Sequence, residues 1–136
     1  MAFHARAWKT DKRLPVCNHS RMQTWTLGKH SAVCPIALTA RLLVSRWKTN
    51  VLWMVWRAND GGANRFNELL RRLPGINRGV LMRTLRELED DGLLQRTEHG
   101  KRPAPVEYAL TEKALALNGA LAALAQWGRT YGTVTP

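Results

Sequence analysis

The chain has 136 residues, which is enough for one domain with a hydrophobic core. It contains 21 Lys and Arg against 10 Asp and Glu, and this formal net charge of +11 indicates a polyanionic partner. The apolar run at residues 51–56 is far shorter than the roughly 20 residues that a membrane span requires, which excludes it as a span.

The N-terminus shows no apolar leader with a small-residue cleavage site, and the 2 cysteines do not make a disulfide scaffold. The sequence therefore predicts a protein of the reducing cytoplasm. A membrane surface is not expected as the partner, because the basic residues lie between helix-turn-helix turn signals rather than along a basic amphipathic helix.

Residues 1–33 are basic and lack apolar periodicity, so we expect a flexible or partly ordered N-terminal arm. Residues 34–130 carry all the regular patterns and are predicted to form the folded domain. Residues 131–136 are predicted to be a C-terminal tail.

The folded domain begins with three predicted helices. Pro35 suits the first position of a helix over residues 35–44, and a second, very hydrophobic helix is predicted over residues 48–57. A strong turn signal at residues 59–62 precedes a short third helix, which opens at residues 65–70 and ends before Pro74.

The fourth predicted helix has a clear start, a buried face and a clear end. Asn77 is a good N-cap. Leu81, Leu85 and Leu88 follow the spacing of one helical face. Gly92 suits a left-handed C-terminal stop.

Two strands and a last helix follow. The strands are predicted at residues 93–98 and 106–110, joined by a loop at residues 99–105. Thr111 caps a helix that we expect to run through Trp127. This order predicts a winged helix-turn-helix, mainly α with a small β-hairpin wing, in the α+β class.

The exposed side of the fourth helix predicts contact with DNA. A helix fits the major groove of B-form DNA, and the planar fork of Arg pairs with the O6 and N7 atoms of guanine. The base-reading candidates are Asn77, Arg78, Gly79, Met82, Arg83 and Arg86. Asn77 has an alternative role at its own helix end.

Other basic residues are placed to bind the DNA backbone, which gives affinity and register but does not read sequence. The backbone candidates are Arg65, Arg71 and Arg72, and the predicted wing tip carries Lys101 and Arg102. Each arginine taken singly is better explained as a solvated charge. As a set, in this order of elements, they favour DNA contact.

Two other function classes remain open at this point. One is a winged-helix module that binds a protein partner, and the other is a DNA-binding protein without sequence preference. Since the sequence shows neither a phosphate-binding glycine loop nor a paired acid and base, we expect no enzyme activity and no cofactor.

Several motifs together resemble the HxlR-type transcriptional regulators, winged-helix proteins related to the MarR class. The matching positions are Cys34, Pro35, Ile36, Trp47, Lys48, residues 65–69, residues 81–93, Arg96, residues 106–112, Trp127 and Gly128. The resemblance covers about residues 34–128 and implies a homodimer that binds an inverted-repeat operator and regulates nearby genes, for which we expect repression.

The resemblance also implies a dimer contact built from the first and last helices. The candidate interface residues are Ile36, Leu43, Leu117, Leu121, Leu124 and Trp127. The chain departs from the usual family pattern at residues 44–46, at Ala114 and at Pro105.

In many members of this family, a cysteine at the position of Cys34 senses oxidants or electrophiles. Cys34 directly precedes a predicted helix, whose positive end favours a thiolate. An inert, half-buried cysteine is an equally good explanation. A zinc site with Cys17, His19, His30 and Cys34 is disfavoured, because Cys17 and His19 are only two positions apart.

Overall fold

The computed structural model describes residues 24–101 and 105–135. The chain divides into two compact units, Met1–Arg41 and Leu42–Pro136. No helix within the described ranges combines the length and the apolar character that crossing a bilayer would need.

The described part of the first unit contains a small hairpin and most of one helix. Strands β1 (Trp25–Leu27) and β2 (His30–Ala32) pair antiparallel, with Leu27 opposite His30. Gly28 takes a positive φ of 57° in the two-residue turn, a conformation that glycine adopts without strain. This hairpin lies in the segment for which the sequence predicts an arm, and residues 1–23 lie outside the described residues.

Helix α1 (Pro35–Leu42) begins at the predicted proline. The Thr39 hydroxyl donates to the Pro35 carbonyl at 3.0 Å, and the Arg41 guanidinium donates to the Ser31 carbonyl in β2. The second bond joins the helix to the hairpin that precedes it.

The second unit contains four further helices longer than one turn, one single-turn helix and one sheet. Its elements in chain order are α2 (Arg46–Asn59), β3 (Asn64–Arg65), α3 (Phe66–Arg72), α4 (Arg78–Asp90), β4 (Leu94–Glu98), β5 (Val106–Leu110), α5 (Glu112–Leu115) and α6 (Asn118–Tyr131). The fold is mainly α with a small antiparallel sheet, as the sequence predicts.

The sheet has three strands in the order β3-β5-β4. The predicted hairpin of β4 and β5 is confirmed, with Arg96 opposite Tyr108 and Glu98 opposite Val106. Strand β3 is not predicted by the sequence, because two residues are too few to show the alternation of a strand. Its pairing with β5 attaches the start of α3 to the wing strands.

The core of this unit lies where α2 packs on α4. Val51, Leu52 and Val55 of α2 are fully buried, as are Leu81 and its predicted partners Leu85 and Leu88 in α4. The predicted inner face of the fourth helix is therefore confirmed. Each large apolar side chain buried in this way contributes about 1.5–3 kcal/mol of transfer free energy.

A buried ion pair also joins these two helices. Lys48 of α2 is 5% exposed, and its Nζ lies 2.9 Å from Oδ2 of Asp91, which is 2% exposed. The carboxylate of Glu87 lies 3.6 Å from the same nitrogen. Because Glu87 and Asp91 stand at the end of α4, this pair fixes that end against α2.

The single last helix that the sequence predicts is two helices in the structure. The Leu117 amide donates to the Ala114 carbonyl, three residues back, at 3.0 Å, so the chain tightens where α5 ends. Asn118 and Gly119, which are weak helix formers, stand at the start of α6. Helix α6 then packs on α2.

Candidate nucleic-acid interface

The predicted reading helix begins with the cap that the sequence indicates. The Oδ1 atom of Asn77 accepts the Val80 amide at 2.9 Å, and Gly92 follows the helix with a φ of 74°. One oxygen of Asn77 is therefore used by its own helix end, which was its alternative role. Asn77 as a whole is exposed.

Arg78 is held against the preceding helix. Its guanidinium lies 5.0 Å from the centre of the Phe66 ring and donates to Oδ1 of Asn67 at 3.3 Å. Both contacts come from α3, so they set the direction of the first arginine of α4. An exposed cation–aromatic contact is worth about 0.5–1 kcal/mol, which leaves the side chain free to exchange partners.

The remaining candidates of α4 face away from the core. Met82, Arg83 and Arg86 are exposed, and within the described residues neither Arg83 nor Arg86 forms an ion pair. A methyl group added at Gly79 would meet only Oδ1 of Asn77, at an ordinary 3.5 Å. This face therefore offers unpaired guanidinium groups next to an open stretch of backbone.

The predicted backbone-binding arginines lie on the neighbouring element. Arg71 and Arg72 are exposed in the last turn of α3. Arg65 is exposed at the start of that helix, 4.0 Å from the carboxylate of Glu107. The backbone amide of Arg65 donates to the Glu68 carboxylate at 3.3 Å, which satisfies one amide at the start of α3.

Each of two carboxylates in the wing hairpin contacts a basic side chain. Arg96 lies 2.6 Å from the carboxylate of Glu98, and His99 lies 2.9 Å from the carboxylate of Glu107. The hydrogen bond to Glu98, followed by that to Tyr108, raises the pKa of Arg96 above its ordinary value. Of the two predicted wing-tip residues, Lys101 is exposed and Arg102 lies outside the described residues.

Lys48 and Asp91 are positions of the family pattern, but the buried ion pair between them was not predicted from the sequence. Lys48 stands on the buried stripe of α2 with Val51, Leu52 and Val55, at the helical spacing of 3, 4 and 7. A lysine on such a stripe requires a buried acid, and Asp91 supplies it. The position of a lysine on an apolar helical stripe is therefore a signal from which a buried ion pair can be predicted.

The candidate dimer residues fall into three groups by exposure. Leu124 and Trp127 on α6 are 58% and 67% exposed, and Ile36 on α1 is exposed as well. Leu43 and Leu117 are half-buried. Leu121 is buried within the protomer, so it occupies a core position and does not offer a surface to a second copy.

Cys34, expected as a free sensing thiol, is disulfide-bonded. The structure therefore describes the oxidised state of this residue. Cys17 and His19, which completed the disfavoured zinc set, lie outside the described residues.

The pattern of the HxlR-like helix-turn-helix family matches residues 42–135. The chain belongs to this family. An uncharacterized HTH-type transcriptional regulator of Methanothermobacter thermautotrophicus is 37% identical over 107 residues, which are 79% of each chain.

Two solved structures extend the comparison. The reduced form of the redox regulator HypR is 33% identical with a TM-score of 0.64, over 71% of this chain and 92% of that one. The reduced form of the transcriptional regulator YodB from B. subtilis is 28% identical with a TM-score of 0.62, over 76% of this chain and 98% of that one. Both are similar to this chain over nearly their whole length.

Membership in the HxlR-like family decides the broad function. The protein is a DNA-binding transcriptional regulator with an α+β winged helix-turn-helix, and it is not an enzyme. In this fold α3 and α4 form the helix-turn-helix, and β4 with β5 forms the wing.

Proposed function

We propose that the protein binds an inverted-repeat operator as a homodimer and represses the genes beside it. The observation that carries this proposal is the division of α4 into two faces. Leu81, Leu85 and Leu88 hold the helix to the core, while Arg83 and Arg86 remain exposed and unpaired within the described residues. An arginine so presented is the commonest reader of guanine in the major groove.

The exposed surface of α6 supports the homodimer. Leu124, Trp127 and Tyr131 follow the spacing of one helical face and are between 58% and 71% exposed. The rings of Trp127 and Tyr131 lie 5.3 Å apart and form one apolar surface. Aromatic residues of this kind are the usual anchors of a protein interface, and a second copy would bury them.

The experiment that tests DNA reading is footprinting on the DNA that flanks this gene, with affinity measured across salt concentrations. We expect a protected palindrome whose half-sites lie about one helical turn apart, or a multiple of that. Salt-dependent binding without a protected site would replace the proposal with sequence-independent binding. Absence of DNA binding under every condition would favour a protein-interaction module.

The sign of regulation needs a transcription measurement. With a repressor, deleting the gene raises transcription of its neighbours, and restoring the wild-type gene lowers it again. A fall in transcription on deletion would identify an activator and contradict this part of the proposal. As a regulator of genomic DNA, the protein would act in the cytoplasm.

We also propose that the redox state of Cys34 controls operator binding. Its disulfide in this structure supports the proposal, as does the existence of HypR in both a reduced and an oxidised form. YodB is known in a diamide-treated form as well. Forming a disulfide from two thiols passes two electrons to the oxidant and releases two protons.

The redox proposal is tested by measuring operator affinity after reduction with dithiothreitol and after oxidation with diamide or a quinone. We expect the affinity of the wild type to change between the two states and that of Cys34→Ser to stay constant. Cys17→Ser, which removes the only other cysteine of the chain, tests whether the response also requires that second thiol. An equal response in wild type and Cys34→Ser would remove Cys34 from the mechanism.

A further inference from the structure

A single carboxylate at the wing lies between two basic side chains. Oε2 of Glu107 is 2.9 Å from Nε2 of His99, and Oε1 of the same group is 4.0 Å from Nε of Arg65. The side chains of Arg65 and His99 are 61% and 54% exposed, and that of Glu107 is 29% exposed. These three residues form the Glu107 cluster.

The backbone of the sheet brings the Glu107 cluster together. Arg65 of β3 and Thr97 of β4 both stand opposite Glu107 of β5, and opposite residues of an antiparallel pair share one face of the sheet. His99 follows two positions after Thr97, which returns it to the same face. Its amide donates to the Pro105 carbonyl at 3.0 Å, so the pairing of the hairpin continues to His99.

No third cation contacts this carboxylate in the part of the chain that the structure describes. Arg65 and His99 are the basic side chains within 4.0 Å of Glu107 there. Lys101 is exposed in the loop beyond His99. The Glu68 carboxylate of α3 accepts the backbone amide of Arg65 at 3.3 Å.

The other charged groups of the surrounding elements are engaged or placed elsewhere. Arg96 of β4 pairs with Glu98 at 2.6 Å, and it faces a cavity that α4 also lines, on the other side of the sheet. Arg57 of α2 lies over the Trp53 ring at 5.9 Å. The charged residues at positions 112 and 113 of α5 follow the far end of β5. The carboxylate that contacts His99 is therefore that of Glu107.

Protonation of His99 changes the charge balance of the Glu107 cluster. With a neutral imidazole, the charges of Arg65 and Glu107 cancel. With an imidazolium, His99 forms the shorter ion pair with Glu107, and one positive charge is left over. Histidine is the side chain whose charge ordinarily changes between pH 5 and 8.

We propose that the Glu107 cluster makes DNA affinity depend on pH, with tighter binding when His99 is protonated. With a neutral His99, Glu107 attracts Arg65 and opposes the approach of a phosphate. With a protonated His99, Glu107 is neutralised and Arg65 binds the DNA backbone. The complex then holds more protons than the free protein, so affinity rises as pH falls. This inference rests on the proposed DNA-binding function and adds a regulation to it.

The test is the DNA affinity of the full chain, measured by fluorescence anisotropy at about pH 5.8 and about pH 7.8 at one low salt concentration. We expect the wild type to bind the operator at least about fourfold more tightly at the lower pH, since each protomer of the dimer contributes a factor of about two or more. Random DNA should gain in the same proportion, because a phosphate contact does not read sequence.

Three variants separate the roles of the cluster residues. His99→Gln should bind at both pH values as weakly as the wild type binds at the higher one. Glu107→Gln should bind tightly at both, and Arg65→Gln should bind weakly at both. His30→Gln is the matched control, since it removes a histidine of β2 in the first unit and should keep the full gain at the lower pH.

The proposal is overturned if His99→Gln keeps the wild-type gain at the lower pH. A full gain in Glu107→Gln would place His99 itself on a phosphate and would also overturn it, as would a full gain in Arg65→Gln. If Glu107→Gln does not fold, His99→Gln decides alone. A protein that binds no DNA at either pH contradicts the proposed function, whereas equal binding at both pH values contradicts the pH dependence alone.

Discussion

Gly79 stands at the second position of α4, where the packing of the protein does not require a residue without a side chain. A methyl group there has room and would improve helix propensity by about 1 kcal/mol. We propose that a glycine at this position allows a close approach of the helix backbone to DNA. Substitution of Gly79 by alanine should therefore raise the stability of the protein and weaken its binding to DNA.

We predict that Gly79→Ala raises the free energy of unfolding by about 0.5–1 kcal/mol and weakens operator binding several-fold. Gly119→Ala is the matched control, since Gly119 holds the same position in α6 with nothing within 4 Å of the added carbon. The Gly119→Ala variant should be more stable than the wild type and should bind operator DNA with the same affinity. Urea denaturation and a gel-shift titration give the two readouts, and unchanged affinity in Gly79→Ala would contradict the close approach.

Lys48 controls the position of the reading helix from inside the core. We predict that Lys48→Met lowers the free energy of unfolding by about 3 kcal/mol or more, because it removes the buried ammonium group that lies 2.9 Å from the buried Asp91 carboxylate. Arg57→Met, an exposed cation on the same helix, should change it by less than about 1 kcal/mol.

Urea denaturation at one fixed protein concentration measures this effect, since dimerisation would otherwise shift the apparent stability. Equal losses in the two variants would show that the Lys48–Asp91 pair does not hold α2 and α4 together.

At the scale of elements, the helix-turn-helix was readable from the sequence because its signals are local. Asn77 caps α4 with its own side chain, Gly92 ends it in the left-handed region, and the leucines repeat at the helical period. Each signal depends on a few neighbouring residues, so no knowledge of the tertiary structure was needed.

Features set by distant contacts were not readable in the same way. Strand β3 exists only because Asn64 and Arg65 pair with β5, more than 40 positions further along the chain. Helix α5 ends where the Leu117 amide donates to the carbonyl of Ala114, three residues back. The spacing of leucine and alanine residues in the sequence does not reveal this hydrogen bond. The Glu107 cluster combines residues from three segments of the chain, and their proximity follows from the folded structure.

Helix α6 is the element on which the proposed dimer depends. We predict that Trp127→Ala raises the dissociation constant of the dimer at least about tenfold, as expected for a central aromatic anchor. Gln126→Ala alters the neighbouring residue, whose side chain bonds to Thr130 and Arg129 on another face of the helix, and should leave the constant unchanged.

Sedimentation velocity over a range of protein concentrations measures the dissociation constant of the dimer. An unchanged constant in Trp127→Ala would place the dimer contact elsewhere.

At the scale of the whole molecule, we propose that the net charge of +11 draws the protein to DNA and that the exposed face of α4 selects the site. These two roles separate experimentally. Removing an arginine that binds a phosphate weakens binding to all DNA sequences. The same change makes the affinity less dependent on salt concentration. An arginine that reads a base changes the discrimination between sequences.

The most direct test of α4 as the reading helix compares Arg83→Ala with Arg72→Ala on the mapped operator and on random DNA, across salt concentrations. We predict that Arg83→Ala loses about 1–3 kcal/mol of discrimination at one base pair of each half-site. Arg72→Ala should weaken both DNAs alike, with a salt slope smaller by about 1 for each phosphate that the variant no longer neutralises. If Arg83→Ala keeps its full preference for the operator while binding to random DNA falls, α4 does not read the sequence through this residue.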